Sequence, residues 1–151
     1  MLRQAFTDRL KDAMKARNVR AVSTVRLILA ALKERDVAAR GEGNTAGLDD
    51  PDIARMLQAM IKQRRESIVL YEQGNRPDLA QQENEEIVVI ESFLPTQMTD
   101  DEITTAAQSA IAETGAAGIR DMGKVMAALR QRHAGSMDFS RAGAIVRQLL
   151  G

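Results

Sequence analysis

DPDIARMLQAMIKQRRESIVLYEQGNRPDLAQQENEEIVVIESFL, residues 50–94, reads as two long helices folded back on each other, and the rest of the chain is organised around it. Asp50 suits the N-cap of the first helix, Pro51 its N1 position and Asp52 the positive end of its dipole. Ile53, Met56, Leu57, Met60, Ile61, Ile68 and Tyr71 then recur at the spacing of one helix face, and Gly74 ends the run. Pro77 opens a second helix, with apolar surface from Leu79, Ile87, Val88, Ile90 and Phe93 before Pro95 stops it. A connection as short as Gly74-Asn75-Arg76 requires the two to lie antiparallel.

One position breaks the first stripe. Arg64 shares a face with Leu57, Ile61, Ile68 and Tyr71, where a charge is tolerated only if it is paired. Glu83 or Glu86 on the facing helix is the expected partner, with Arg26 beside it. The alternative is a guanidinium that reaches water along its own stem.

Working outward, residues 2–17 form an amphipathic helix with Leu2, Phe6, Leu10, Ala13 and Met14 on one face. Asn18 caps a helix over 19–40 whose stripe is Val22, Val25, Leu29 and Leu32. Its charged positions, Arg20, Arg26, Lys33, Glu34, Arg35 and Asp36, read as a solvated face. GEGNTAG, residues 41–47, is a flexible linker by composition.

Beyond Pro95 a fresh start signal appears. Thr99 and Glu102 form a capping box, flanked by Met98 and Ile103 as a hydrophobic staple. Helices follow over about 100–114, from Asp121 to about His133, and from Asp138 onward, with Met122, Val125, Met126, Leu129, Phe139, Ile145, Val146, Leu149 and Leu150 facing inward. The expectation is an all-α protein: an N-terminal antiparallel helical domain over 1–96 and a small three-helix tail domain over 97–151.

The formal net charge of zero conceals a gradient. Residues 1–40 hold ten Lys and Arg against four acids, residues 41–101 five against thirteen, and residues 102–151 six against four. A neutral whole speaks against indiscriminate coating of nucleic acid but allows local anion binding. With one His and no Cys, no metal site, disulfide framework or nucleophilic triad can be assembled, and neither a catalytic residue nor a cofactor is expected. The absent cysteines and secretory h-region, and the lack of a membrane-length apolar stretch, point to a cytoplasmic setting.

GIRDMGKV, residues 118–125, follows the P-loop pattern as far as Lys124, but Val125 stands where a magnesium-binding hydroxyl is needed and no strand precedes it. What remains is a basic surface in the tail, drawn from Arg120, Lys124, Arg130, Arg132, Arg141 and Arg147. Gly123 would allow close backbone approach there, or close helix packing. With Phe139 the tail's one aromatic residue and assigned to the core, any RNA contact would be to backbone and shape.

Lys62-Gln63-Arg64, Glu66-Ser67-Ile68, Gly74-x-Arg76-x-Asp78-Leu79-Ala80, Glu83-x-x-Glu86-Ile87, Leu94-Pro95 and Asp121-Met122-Gly123-Lys124-Val125-Met126 together resemble the YqeY-like family. That family is similar to the tail region of GatB, a subunit of the tRNA-dependent amidotransferase, a carbon–nitrogen ligase with glutamine as amide donor. The resemblance implies a helical domain joined to a three-helix tail, and association with tRNA or with amidotransferase or other translation-linked proteins. It makes Lys124 a tRNA contact, with Arg120 and Arg130 as neighbours. The competing expectation is a helical protein-interaction module that uses Met56, Met60, Met122 and Met126 to hold a partner helix.

Overall fold

The computed structural model describes residues 1–151, and all of its regular elements are helical. It divides into two compact units, Met1–Leu94 and Pro95–Gly151.

The first unit holds α1 (Leu2–Lys15), α2 (Val19–Gly41), α3 (Asp50–Gln73) and α4 (Pro77–Glu91). Asn18 caps α2 by accepting the Ala21 N–H at 3.1 Å. The cap of α3 is Asp49, which accepts the Asp52 N–H at 3.0 Å, one residue earlier than the expected Asp50. Two adjacent aspartates can each fill the role, and Asp50 is engaged elsewhere, its Oδ1 accepting the Leu2 N–H at 3.3 Å at the start of α1. Gly74 stops α3 with an ordinary φ of −83°. Asn75, at φ 55°, supplies the left-handed step that reverses the chain, a conformation asparagine tolerates better than most residues.

α3 and α4 pack along their length, α2 lies on α4, and α1 lies on α2. Phe6, Ile28, Ile53, Met56, Leu57 and Ile90 are the large, fully buried side chains of the shared core. The Phe6 ring meets Phe93 edge-on, centroids 4.7 Å apart. Two expected inward residues face water instead. Met14 is 52% exposed and Val88 67%, while the neighbouring Ala13 and Val89 are buried. A helix turns by about 100° per residue, so a phase error of one position exchanges an inward for an outward side chain.

The 41–47 segment is tied down at its far end. Arg3 grips Asp36 through two nitrogens, at 2.7 and 2.8 Å, and donates a further bond to the Leu48 carbonyl at 2.9 Å. Asp36 Oδ1 accepts the Leu48 N–H at 2.9 Å, so the end of the loop is clamped between α1 and α2. Gly47, at φ 82°, passes so close that a Cβ there would lie 2.6 Å from Asp36 Oδ1. These bonds, the Arg3 guanidinium first, hold the Asp36 carboxyl at a pKa of about 2. A carboxyl depressed in this way stabilises the fold fully above its ordinary pKa, about 4, and loses that contribution as pH falls toward 2. Asp36→Asn is therefore expected to cost about 1–2 kcal/mol at pH 7. Urea titrations should show the gap between the two proteins closing as pH drops from 4 to 2; a gap independent of pH would refute this assignment.

The second unit holds α5 (Asp100–Thr114), a 3-10 turn (Ile119–Asp121), α6 (Met122–Arg132) and α7 (Phe139–Leu150). The capping box forms, with Glu102 N–H to Thr99 Oγ1 at 3.2 Å and Thr99 N–H to Glu102 Oε1 at 3.1 Å. Gly115 ends α5 in the left-handed conformation, φ 68°. Ile103, Ala107, Ala110, Val125, Met126, Leu129, Ala142 and Val146 make this unit's own core. Met137, outside every expected stripe, is fully buried, and the chain around it is tied down by Met98 N–H to Ser136 O at 2.9 Å. Leu149, expected inside, is 40% exposed.

Candidate functional site

The expected RNA-binding residues lie on α6 and the turn before it. Gly118–Val125 forms a 3-10 turn running into a helix, and Met122 N–H already donates to Ile119 O. The Asp121 side chain turns backward to accept the Ala117 N–H at 3.0 Å, and no side chain caps α6. This differs from a P-loop, in which successive free N–H groups surround a phosphate after a strand.

Lys124 stands well into solvent, its side chain 70% exposed and its Nζ 4.0 Å from Asp121 Oδ1. Gly123 is exposed, and a Cβ at that position would meet nothing within 4 Å, so helix packing does not require the glycine. Arg130 is exposed and lays its guanidinium over the Phe139 ring, 5.8 Å from the centroid. A spacing of seven places Gly123 and Arg130 on one flank of α6, with Lys124 about 120° further round from Arg130. Arg120 is exposed on the 3-10 turn.

Two of the other basic residues are committed elsewhere: Arg141 pairs with Asp100 at 2.8 Å, and Arg132 pairs with Glu113. Both acids belong to α5. The basic tail surface is thus narrower than composition implies, and its available cations are those at the start and flank of α6 together with the exposed Arg147 on α7. On the α5 side a shallow groove of about 560 Å³ is lined by Asp101, Glu102, Glu113, Arg132 and His133, with an acidic balance that disfavours phosphate.

In the first unit, Arg64 donates from Nε to Glu86 Oε2 at 2.9 Å and from a terminal nitrogen to the Met60 carbonyl at 3.2 Å. The two side chains are only 12% and 10% exposed. Glu83 stands next to Glu86; burial first, then the Glu86 charge, raises its pKa above its ordinary value. Arg26 does not join them and is exposed. Arg20, six residues earlier, is the α2 arginine that reaches α4, Nε to Glu85 Oε2 at 3.1 Å. Both arginines lie on the same helix, and which one meets α4 depends on how far along α2 the two helices cross, a quantity no local pattern encodes.

The four methionines that the competing reading would use to hold a partner serve the cores, the plainer use of methionines at helical spacing. Met56 and Met126 are buried, and Met60 and Met122 pack against their neighbours. The contact of Arg130 with Phe139 is the one that the sequence signals least. Its only signal is a cation and a ring on elements that fold together.

Comparison with known proteins gives a family and a few distant relatives. The family model described as "Yqey-like protein" matches residues 3–150. A protein of Lachancea thermotolerans named "Altered inheritance of mitochondria protein 41, mitochondrial" is 32% identical over 85 residues, 56% of this chain and 43% of that protein. Its namesake in Vanderwaltozyma polyspora is 31% identical over 85 residues, 56% of this chain and 44% of that one. An uncharacterised protein of Schizosaccharomyces pombe is 28% identical over 94 residues, 62% of this chain and 72% of its own length. The matches thus span less than half the length of the two mitochondrial relatives. No helix here is long and apolar enough to cross a membrane.

Proposed function

This chain belongs to the Yqey-like protein family, and on that premise we propose that it is a non-catalytic module that binds tRNA or works beside a tRNA amidotransferase. In this reading the tail unit contacts the phosphate backbone through Lys124, with Arg120 and Arg130 as flanking contacts. The observation that carries it is the availability of these cations: Lys124 extends into solvent beside a glycine with open space above it, while Arg132 and Arg141 are held by α5 acids. A partner able to use them offers spaced negative charge and no demand for base stacking, as an RNA backbone does. The cysteine-free chain suits a reducing compartment, and we place the module in the cytoplasm.

The test is binding of bulk tRNA to the purified protein across a salt series. Affinity should fall steeply as salt rises, and Lys124→Ala, with unchanged circular dichroism, should weaken binding several-fold and lower the log–log salt slope by about 1. No binding by the wild-type chain at low salt would defeat the proposal.

A further inference from the structure

α2 carries a surface that the tail proposal does not use and that the core of its own unit uses only in part, through the inner sides of Val22 and Leu29. Val22, Arg26, Leu29, Lys33, Val37 and Arg40 follow one another at intervals of four, three, four, four and three residues. At 100° per residue they fall within an arc of about 80°. Arg26, Lys33 and Arg40 are exposed, Val37 is 57% exposed, and Val22 and Leu29 are half-buried. The cations recur every seven residues, about 10.5 Å apart along the axis. The acids of α2 offset these charges only in part: Asp36 is bonded to Arg3, though Arg40 also feels its charge, and Glu34 lies outside the arc.

The stripe also borders two grooves against α1. One, of about 380 Å³, lies beside Met14, Val22 and Arg26. The other, of about 280 Å³, lies beside Leu29, Lys33, Val37 and Arg40. Apolar residues and cations of the stripe thus line the same two grooves.

We propose that this stripe of α2 is a docking site for an acidic amphipathic helix of a partner protein, with its apolar residues seated on Val22, Leu29 and Val37 and its carboxylates facing Arg26, Lys33 and Arg40. A partner helix with one acid per heptad reproduces the spacing of the cations, which is the logic by which charged flanks set register between paired helices. A flat lipid surface would meet the arginines and Val37 but would not reach the half-buried Val22 and Leu29. A phosphate backbone would leave the apolar members of the stripe without a role. The site lies wholly in the first unit and stands independently of the tail proposal.

The probe is a stapled helical peptide of about three heptads with one Leu and one Glu per heptad, compared with a peptide of the same composition whose glutamates are irregularly spaced. Salt-sensitive binding of the first, at least tenfold tighter than the second, is expected. It should be lost in the Arg26→Glu, Lys33→Glu, Arg40→Glu triple variant, which changes only exposed residues, and regained when the peptide carries Lys in place of Glu. Equal binding of both peptides, or no binding, would overturn the proposal. So would stronger binding of anionic vesicles or tRNA that the same triple variant abolishes, or a self-association removed by it, which would place a second copy on the stripe.

Discussion

Glu86→Ala lowers the stability of the first unit by about 3–5 kcal/mol, because it leaves the Arg64 guanidinium in the α3–α4 interface without its counter-ion. The two side chains are 10% and 12% exposed, so neither is well solvated where it stands. The remaining bond from Arg64 to the Met60 carbonyl cannot replace a carboxylate, and Glu83 has its own charge disfavoured by burial. Arg64→Met combined with Glu86→Leu should recover most of the loss, since an apolar pair of similar volume carries no desolvation cost. The chain's one tyrosine, Tyr71 on α3, gives a fluorescence signal specific to this unit, and the chain has no tryptophan to mask it. Urea unfolding followed at Tyr71 is the measurement. A loss below about 1 kcal/mol in Glu86→Ala would mean the arginine finds water readily and the pair behaves as a surface one.

Phe6→Ala should cost a similar amount, about 3–5 kcal/mol, for a different reason. Phe6 is fully buried, so its removal forfeits the transfer free energy of a large ring and leaves a cavity between helices that cannot fully collapse. It also breaks the edge-on contact with Phe93, which should appear in a double-mutant cycle as a coupling of about 0.5–1.5 kcal/mol. Phe93→Ala alone should cost less, because that ring is only half-buried. The same urea assay separates the four proteins of the cycle. Additive losses would show that the rings meet without favouring each other.

Elements with strong end signals were legible in the sequence: the Asn18 cap, Pro77 at the head of α4, the Thr99–Glu102 box and the α5 stop at Gly115 all stand where local chemistry places them. The all-helical class followed from composition and spacing. What local pattern did not carry was rotation and crossing. Val89 rather than Val88 turns inward, and Arg20 rather than Arg26 reaches α4, because both depend on how two helices meet. The bonding of the 41–47 loop is likewise hidden from its Gly-rich composition, because besides Asn44 within it the partners that hold its far end, Arg3 and Asp36, lie outside it. At the tail, the residue types of the candidate site were visible, yet the commitment of Arg132 and Arg141 to α5 acids emerges only once the three helices are assembled.

The meeting of Phe6 with Phe93 also sets a schedule for synthesis. The ring that closes the first helix's side of the core belongs to almost the last residue of the unit, so α1 leaves the ribosome long before its partner exists. At elongation rates of about 5–20 residues per second, that interval is on the order of ten seconds. During it, the apolar face of α1 has α2 to lie on but no Phe93 to seal it, which makes this the window in which a nascent-chain chaperone would find Phe6 accessible.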